Sequence, residues 1–281
     1  MDERITVYFD DYHGLSFERL EDGVLLVTLN APERLNATDE RMHTELARVW
    51  KDVDADPETR IVVVTGAGKA FSAGGDMDML GRQTQNYEAI SHLLEEAGSI
   101  VYNMIHCRKP IVAAINGVAV GAGLAVAIIA DISIIAEDAR FTDGHLRIGV
   151  GAGDHAAIIW PLLCGMSKAK YYLMTSEFID GAEAERIGLV SKAVPREELM
   201  TEALRVAGNL ARGPQVALRW TKRSLNQWLI QAGPIFESSL ALEMLNFFGE
   251  DVVEGREAVL AKRPAVFPSA TSEGFARMGP R

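Results

Sequence analysis

Asp143, His145, Asp154 and His155 gather around the run Gly149-Val-Gly-Ala-Gly153. Histidine is the side chain whose ordinary pKa lies near neutrality, which suits it to general acid or base work. A carboxylate hydrogen-bonded to one ring nitrogen fixes the tautomer and raises the basicity of the other nitrogen. Two histidines and two aspartates in so short a stretch therefore point to proton transfer. Each neighbour of His145 also has a plainer role open to it. Asp154 stands where a helix begins and suits an N-cap. His155 would then open that helix, at the surface or in a pocket wall. Asp143, before Gly144, reads as a turn residue. His13, His43, His92 and His106 have no paired ligand spacing, so no metal site is expected.

Two small-residue segments offer the complement to a base. Phe71-Ser-Ala-Gly-Gly-Asp76 and Asn116-Gly-Val-Ala-Val-Gly-Ala-Gly123 each follow an apolar run, Ile61-Val-Val-Val-Thr65 and Ile111-Val-Ala-Ala-Ile115. Glycine lets the backbone turn sharply and approach a ligand. Where a strand passes into a helix, free amide N–H groups point at an oxygen. Two such turns side by side form a two-donor pocket for a carbonyl oxygen gaining negative charge. Neither segment has the glycine order of a dinucleotide fingerprint, and the phosphate-binding P-loop pattern is absent. Asp76 suits the cap of the turn that follows it.

These groups need elements to position them. Val24–Leu29 reads as a strand, paired with Leu15–Leu20 across Glu21-Asp-Gly23. Thr38 or Asp39 caps a helix through Trp50, with Met42, Leu46, Val49 and Trp50 at helical spacing. A long helix is predicted from about Tyr87 to Cys107, a short one from near Ala122, and a strand at Ile132-Ser-Ile-Ile135. Repeated β–α units with nearly all-apolar strands predict an α/β fold whose largely parallel sheet is covered on both faces. A doubly wound sheet satisfies that pattern too. After Pro195 the pattern is helical, over Glu197–Arg212, Pro214–Leu229, Pro234–Gly249 and Asp251–Lys262. The expected division is residues 1–195 as a core carrying the active site and 196–281 as a helical region.

Composition narrows the class. The 281 residues can bury one substantial core, and the 48% hydrophobic and 24% charged content is that of a globular enzyme. A net charge of −11 argues against binding nucleic acid or an anionic membrane surface. Cys107 and Cys164 lie in apolar helical context and read as buried free thiols of a reducing compartment. The start Met1-Asp-Glu-Arg-Ile is charged, without the apolar stretch of a secretory signal, and a cytoplasmic address is expected.

In order along the chain stand Asn30-Ala-Pro-Glu-Arg-Leu-Asn-Ala37, Lys69-Ala-Phe-Ser-Ala-Gly-Gly-Asp76, Lys109-Pro-Ile-Val-Ala-Ala-Ile-Asn-Gly117, Gly121-Ala-Gly123, Ala130-Asp131, Phe141, Gly181-Ala-Glu-Ala-Glu-Arg-Ile-Gly-Leu-Val190 and Lys262-Arg-Pro264. With these landmarks the chain resembles the crotonase, or enoyl-CoA hydratase/isomerase, superfamily from about Val24 to Phe267. The resemblance implies a spiral of ββα units followed by a helical trimerisation region, and a homotrimer or dimer of trimers. It implies an oxyanion hole made by the amides of Gly75 and Ala122. It places coenzyme A, as part of the substrate and with no separate cofactor, along the loop of Arg34 to Ala37 and the Gly66–Gly75 region, with Ala73, Asp76 and Lys262 among the substrate-binding residues. Arg34, Lys69, Lys262 and Arg263 become candidate phosphate contacts. Met77, Met79, Leu80, Met104 and Trp160 become candidate walls of an acyl pocket.

The chain departs from the hydratases at both of their catalytic glutamates. One position is Ala125, and the other, in Phe141-Thr-Asp-Gly-His145, is His145. Alanine transfers no proton, which puts water addition by paired carboxylates in doubt. The spacing of His145 and Asp154 looks most like the branch of the family resembling 6-oxocamphor hydrolase, which cleaves β-diketones. That likeness implies His145 as general base and Asp154 as its orienting or proton-shuttling partner. Three functions follow in order: an acyl-CoA enzyme working through a stabilised enolate, a coenzyme A-independent β-diketone hydrolase, and a non-catalytic acyl-CoA-binding homologue.

Overall fold

The computed structural model describes residues 9–278. The start Met1-Asp-Glu-Arg-Ile, on which the reading of a missing secretory signal rests, lies outside them. The chain opens with β1 (Leu15–Arg19) and β2 (Val24–Leu29), antiparallel across a one-turn 3-10 helix at Glu21–Gly23. Helix α1 (Glu40–Ala55) follows, capped by Asp39, whose side chain accepts from the Met42 amide. Three ββα-type units then repeat. The first is β3 (Ile61–Gly66), β4 (Ala70–Ser72), α2 (Met77–Gln83) and α3 (Tyr87–His106). The second is β5 (Ile111–Ile115), β6 (Val118–Val120) and α4 (Gly121–Ile129). The third is β7 (Ile132–Ala136), β8 (Arg140–Thr142) and α5 (Ala156–Thr175). After β9 (Ile179–Asp180), α6 (Gly181–Arg186) and β10 (Lys192–Val194) come α7 (Leu199–Ala211), α8 (Gln215–Leu225), α9 (Gln227–Gln231), α10 (Gly233–Asn246), α11 (Glu250–Leu260) and α12 (Ser272–Met278).

The strands divide between two sheets, ordered β1-β2-β3-β5-β7-β10 and β4-β6-β8-β9. The single doubly wound sheet that periodicity allowed is thus replaced by the spiral. The reason is visible in each unit. The long first strand pairs in parallel in one sheet, and the short second strand turns away into the other. Gly123 makes that stacking possible. A Cβ there would lie 2.2 Å from the Ser72 Cβ, so only glycine lets α4 pass so close to β4.

The apolar strands β3 and β5 are buried throughout, and Trp50, Trp160, Phe71, Phe141 and Phe236 fill the core around them. The helical region is not a separate layer at its start, since α7 packs on β3, β5 and β7 and covers one sheet face. Helices α10 and α11 return to the first part, α10 against α3 and α5, and α11 against α2 and the turn after β8. The helix predicted over Pro214–Leu229 is two. Asn226 breaks it, with its side-chain amide donating to the Ile105 carbonyl at the end of α3. Among the described residues no helix is long and apolar enough to cross a membrane.

Candidate active site

The two glycine-rich turns and the histidine cluster open onto one cavity of about 110 Å³, on the scale of the ~150 Å³ that holds a benzene ring. Gly75 and Ala122 both line it. Gly74 takes a φ of 92°, a left-handed conformation that turns the chain so that its carbonyl accepts from Thr38. The amide of Asp76 donates to the Thr38 carbonyl, while the Gly75 amide between them has no acceptor among the described residues. Ala122 lies in the first turn of α4, where N–H groups have no intrahelical acceptor. The two turns abut, for a methyl group on Gly121 would sit 3.8 Å from the Gly75 nitrogen. Two free donors therefore flank one space.

The titratable groups come from three places. His145 begins a one-turn 3-10 helix after β8, and its Nδ1 lies 3.0 Å from Asp143 Oδ2. Asp143 also accepts from the His145 amide, so it is a turn residue and the orienting carboxylate at once. Asp154 meets the other side of the ring. Its Oδ2 is 3.7 Å from His145 Nε2, and Glu243 Oε1 on α10 is 3.6 Å away. Asp154 does not cap α5. It bonds instead to His155 Nδ1, and His155, expected at the surface or in a pocket wall, is wholly buried. His155 Nε2 lies 3.7 Å from Asp143 Oδ1, and neither atom has a hydrogen-bond partner. Asp143, His145, Asp154 and His155 thus alternate around a closed ring, with Glu243 set against it.

That arrangement sets the charges. Burial disfavours a charged His145, but Asp143, Asp154 and Glu243 together hold its pKa well above the ordinary value. Burial likewise opposes an ionised Asp154, yet the His155 and His145 charges keep its carboxyl well below the usual range. Glu243 goes the other way. Burial, with Asp154 and Asp143 nearby, pushes it up to about 8 against the pull of His145. One carboxyl of the cluster therefore keeps its proton at neutral pH while another does not.

The remaining predicted residues divide. Ala73, Met77, Met79 and Leu80 line the cavity. Met104 and Trp160 do not; both are fully buried in the core. Arg34, Ala37, Asp76 and Lys262 lie outside the lining. Arg34 is paired with Asp39 at 2.7 Å. Asp76 caps α2 by accepting from the Asp78 and Met79 amides. Lys262 is exposed after α11, and Arg263 pairs with Glu254. Cys107 is buried but Cys164 only half so. Ala125, the position of a hydratase glutamate, is packed in the core and does not reach the cavity.

Three features of this arrangement escaped the sequence reading. Glu243 is one, and its signal was an acid at helical spacing among Phe236, Leu240, Met244 and Phe247. His43, which lines the cavity, is another, and Asp143 as the orienting group is the third. Two trios, Asp143/Asp154/His155 and His145/Asp154/Glu243, also bring ligand atoms within 4.8 Å of one another. Imidazole with two carboxylates is a donor set that divalent cations accept. Linear spacing hid both trios, because each draws on more than one element.

The family model described as "Enoyl-CoA hydratase/isomerase" matches residues 19–270. The chain belongs to that family. It is 34% identical over 261 residues to a probable enoyl-CoA hydratase of Rhodobacter capsulatus, covering 91% of this chain and 98% of that protein. A solved enoyl-CoA hydratase/isomerase from Mycobacterium paratuberculosis superposes with a TM-score of 0.84 at 33% identity, covering 89% of this chain and 99% of that one. A β-diketone hydrolase from Anabaena sp. PCC 7120, solved with (S)-3-oxocyclohexyl acetic acid, superposes with a TM-score of 0.80 at 29% identity, covering 85% and 96%. As an enoyl-CoA hydratase/isomerase family member, the chain shares their α/β fold with parallel sheets and C-terminal helices.

Proposed function

We propose that this family member acts on an acyl-CoA thioester, holding its carbonyl oxygen at the Gly75 and Ala122 amides as negative charge develops. The single observation that carries this is one cavity with two unengaged amides on one side and the His145 cluster on another. Removing one such donor costs a typical enzyme ~3 kcal/mol of transition-state stabilisation, so the amide pair is the main source of rate. His145 in its neutral form is the base, taking a proton from the carbon beside the carbonyl or from a water. Asp143 orients its ring and Asp154 faces the reacting nitrogen. Glu243, protonated near neutral pH and 3.6 Å from the His145 ring, is an acid for the atoms nearest His145. Double-bond shift and hydrolysis both suit this set. Hydration by two glutamates does not, since Ala125 and His145 occupy their positions.

A second reading, carbon–carbon cleavage of a β-diketone without coenzyme A, draws on two observations. One is the likeness to the Anabaena hydrolase. The other is the small size of the cavity, together with the pairing of the candidate phosphate contact Arg34 with Asp39. Crotonyl-CoA and a cyclic β-diketone assayed side by side separate the two. Coenzyme A thioesters should also raise the melting temperature, corresponding to ~2.7 kcal/mol at a hundredfold excess over Kd. No shift and no thioester turnover would remove the first reading. Binding without any turnover would leave a non-catalytic acyl-CoA-binding homologue.

A further inference from the structure

His43 sits on α1 with Met42, Leu46 and Trp50 facing the core, and it is only 4% exposed. Its Nδ1 lies 2.7 Å from Glu96 Oε2 on α3, and Glu96 is itself 9% exposed. Thr44 Oγ1 donates to the other Glu96 oxygen at 2.5 Å. His92, one turn earlier on α3 and well exposed, brings its Nε2 within 3.2 Å of that same oxygen. The imidazole is thus held from behind. In front it lines the cavity shared by Gly75, Ala122 and His145, and its Nε2 has no partner among the described residues. The charged and titratable groups facing His43 are Glu96 from α3, with His92 behind it, and Asp154 before α5.

A buried carboxylate with both oxygens hydrogen-bonded is a poor structural tie between two helices, because an apolar pair would serve as well. It is a good device for fixing one ring nitrogen of a histidine and turning the other toward a substrate. Chemistry through an enolate also calls for two proton transfers, at two different atoms. The His145 cluster serves the atoms near it.

We propose that His43 is a second catalytic acid/base residue of this cavity and that Glu96 is the residue that positions it. The assignment rests on the enolate reading above. His145 Nε2 takes a proton from the carbon beside the carbonyl, and the electron pair of that C–H bond moves onto the oxygen held by the two amides. When the pair returns from oxygen, the carbon farther along the chain forms a new C–H bond with the proton on His43 Nε2. The N–H electrons stay on the ring. One proton has then left the substrate and one has joined it, and exchange of the two histidines with water restores both.

The burial of Glu96 would raise its carboxyl pKa, but the hydrogen bonds from His43 and Thr44 hold it below the ordinary range. Glu96 is therefore an anion able to hold the Nδ1 proton of His43 in place. The test uses the full chain and 3-butenoyl-CoA, whose C–H bond beside the carbonyl is the one this step breaks, and reads its conversion to crotonyl-CoA; no conversion by wild type overturns the proposal. His43→Gln keeps a polar amide in the cavity wall but cannot exchange a proton. It should lower kcat by ~10²-fold or more, with KM and melting temperature little changed. Glu96→Gln should lower kcat by ~10-fold and displace one limb of the pH profile, an effect that a purely structural contact does not produce. A His43→Gln rate within about twofold of wild type, beside an inactive His145→Ala, overturns this proposal alone. If both variants keep the wild-type rate, the enolate reading itself fails and His43 with it. Should His43→Gln not fold, an unaltered pH profile in Glu96→Gln is the overturning result.

Discussion

At the scale of single residues, three buried carboxylates around one imidazole make protonation the controlling variable. His145 is raised above its ordinary pKa, so its neutral, basic form grows as pH rises. Glu243 loses its proton near 8, so the acid form falls over the same range. The kcat profile should be a narrow bell on the alkaline side of neutrality, and Glu243→Gln should flatten its descending limb. A rate independent of pH from about 6 to 9 would contradict this. Stability has its own sign. The folded-state pKa of Glu243 lies above the unfolded value, so its contribution is complete below the unfolded pKa of about 4.5 and is lost as pH rises through about 8. Thermal melts of wild type and Glu243→Gln should diverge across that window, with wild type losing more. Ala125 gives the opposite lesson. Because it is core rather than cavity wall, Ala125→Glu should cost about 3–5 kcal/mol as an uncompensated buried charge and create no hydratase. Denaturant unfolding and a crotonyl-CoA hydration assay check both halves.

At the scale of elements, the site depends on how closely strands and helices approach. The passage of α4 over β4 leaves no room for a side chain at position 123. Gly123→Ala should therefore cost about 1–3 kcal/mol from overpacking, and it should lower kcat because α4 carries the Ala122 amide. An unchanged Tm and rate would show that the two turns do not need this contact. Asp76 acts more locally. Losing the cap of α2 in Asp76→Ala should cost ~1 kcal/mol, and α2 carries the Met77, Met79 and Leu80 walls. The expected outcome is a raised KM with kcat nearly kept, read from steady-state kinetics. A kcat loss of ~10²-fold would instead make Asp76 part of the chemistry.

At the scale of the whole molecule, the C-terminal helices do two jobs. They carry Glu243 into the cavity, and they leave Trp220, Trp228, Leu242 and Leu245 exposed on their outer faces. Large apolar side chains left on the outer faces of helices are candidates for an interaction surface. We propose that it is the contact between copies of the chain. Light scattering should give a homotrimer or a dimer of trimers, and a monomer at micromolar concentration would contradict that. Trp228→Glu should then shift the population toward monomer while leaving the cavity residues in place.

The repeat of apolar strands, the glycine turns, a cap of α1 at Thr38 or Asp39 and the helical tail were legible from local pattern alone, because periodicity and backbone conformation are properties of neighbours in sequence. The grouping of His145 with Asp143, Asp154 and His155 was legible because all four lie in one short stretch of chain. The two-sheet spiral, the role of Asp143 and the burial of His155 were not. Nor were Glu243 and His43, since α10 and α1 deliver them to the cavity from opposite ends of the chain. Which carboxylate holds a proton depends on distances in three dimensions and on burial, and both are set only when these distant segments pack against one another.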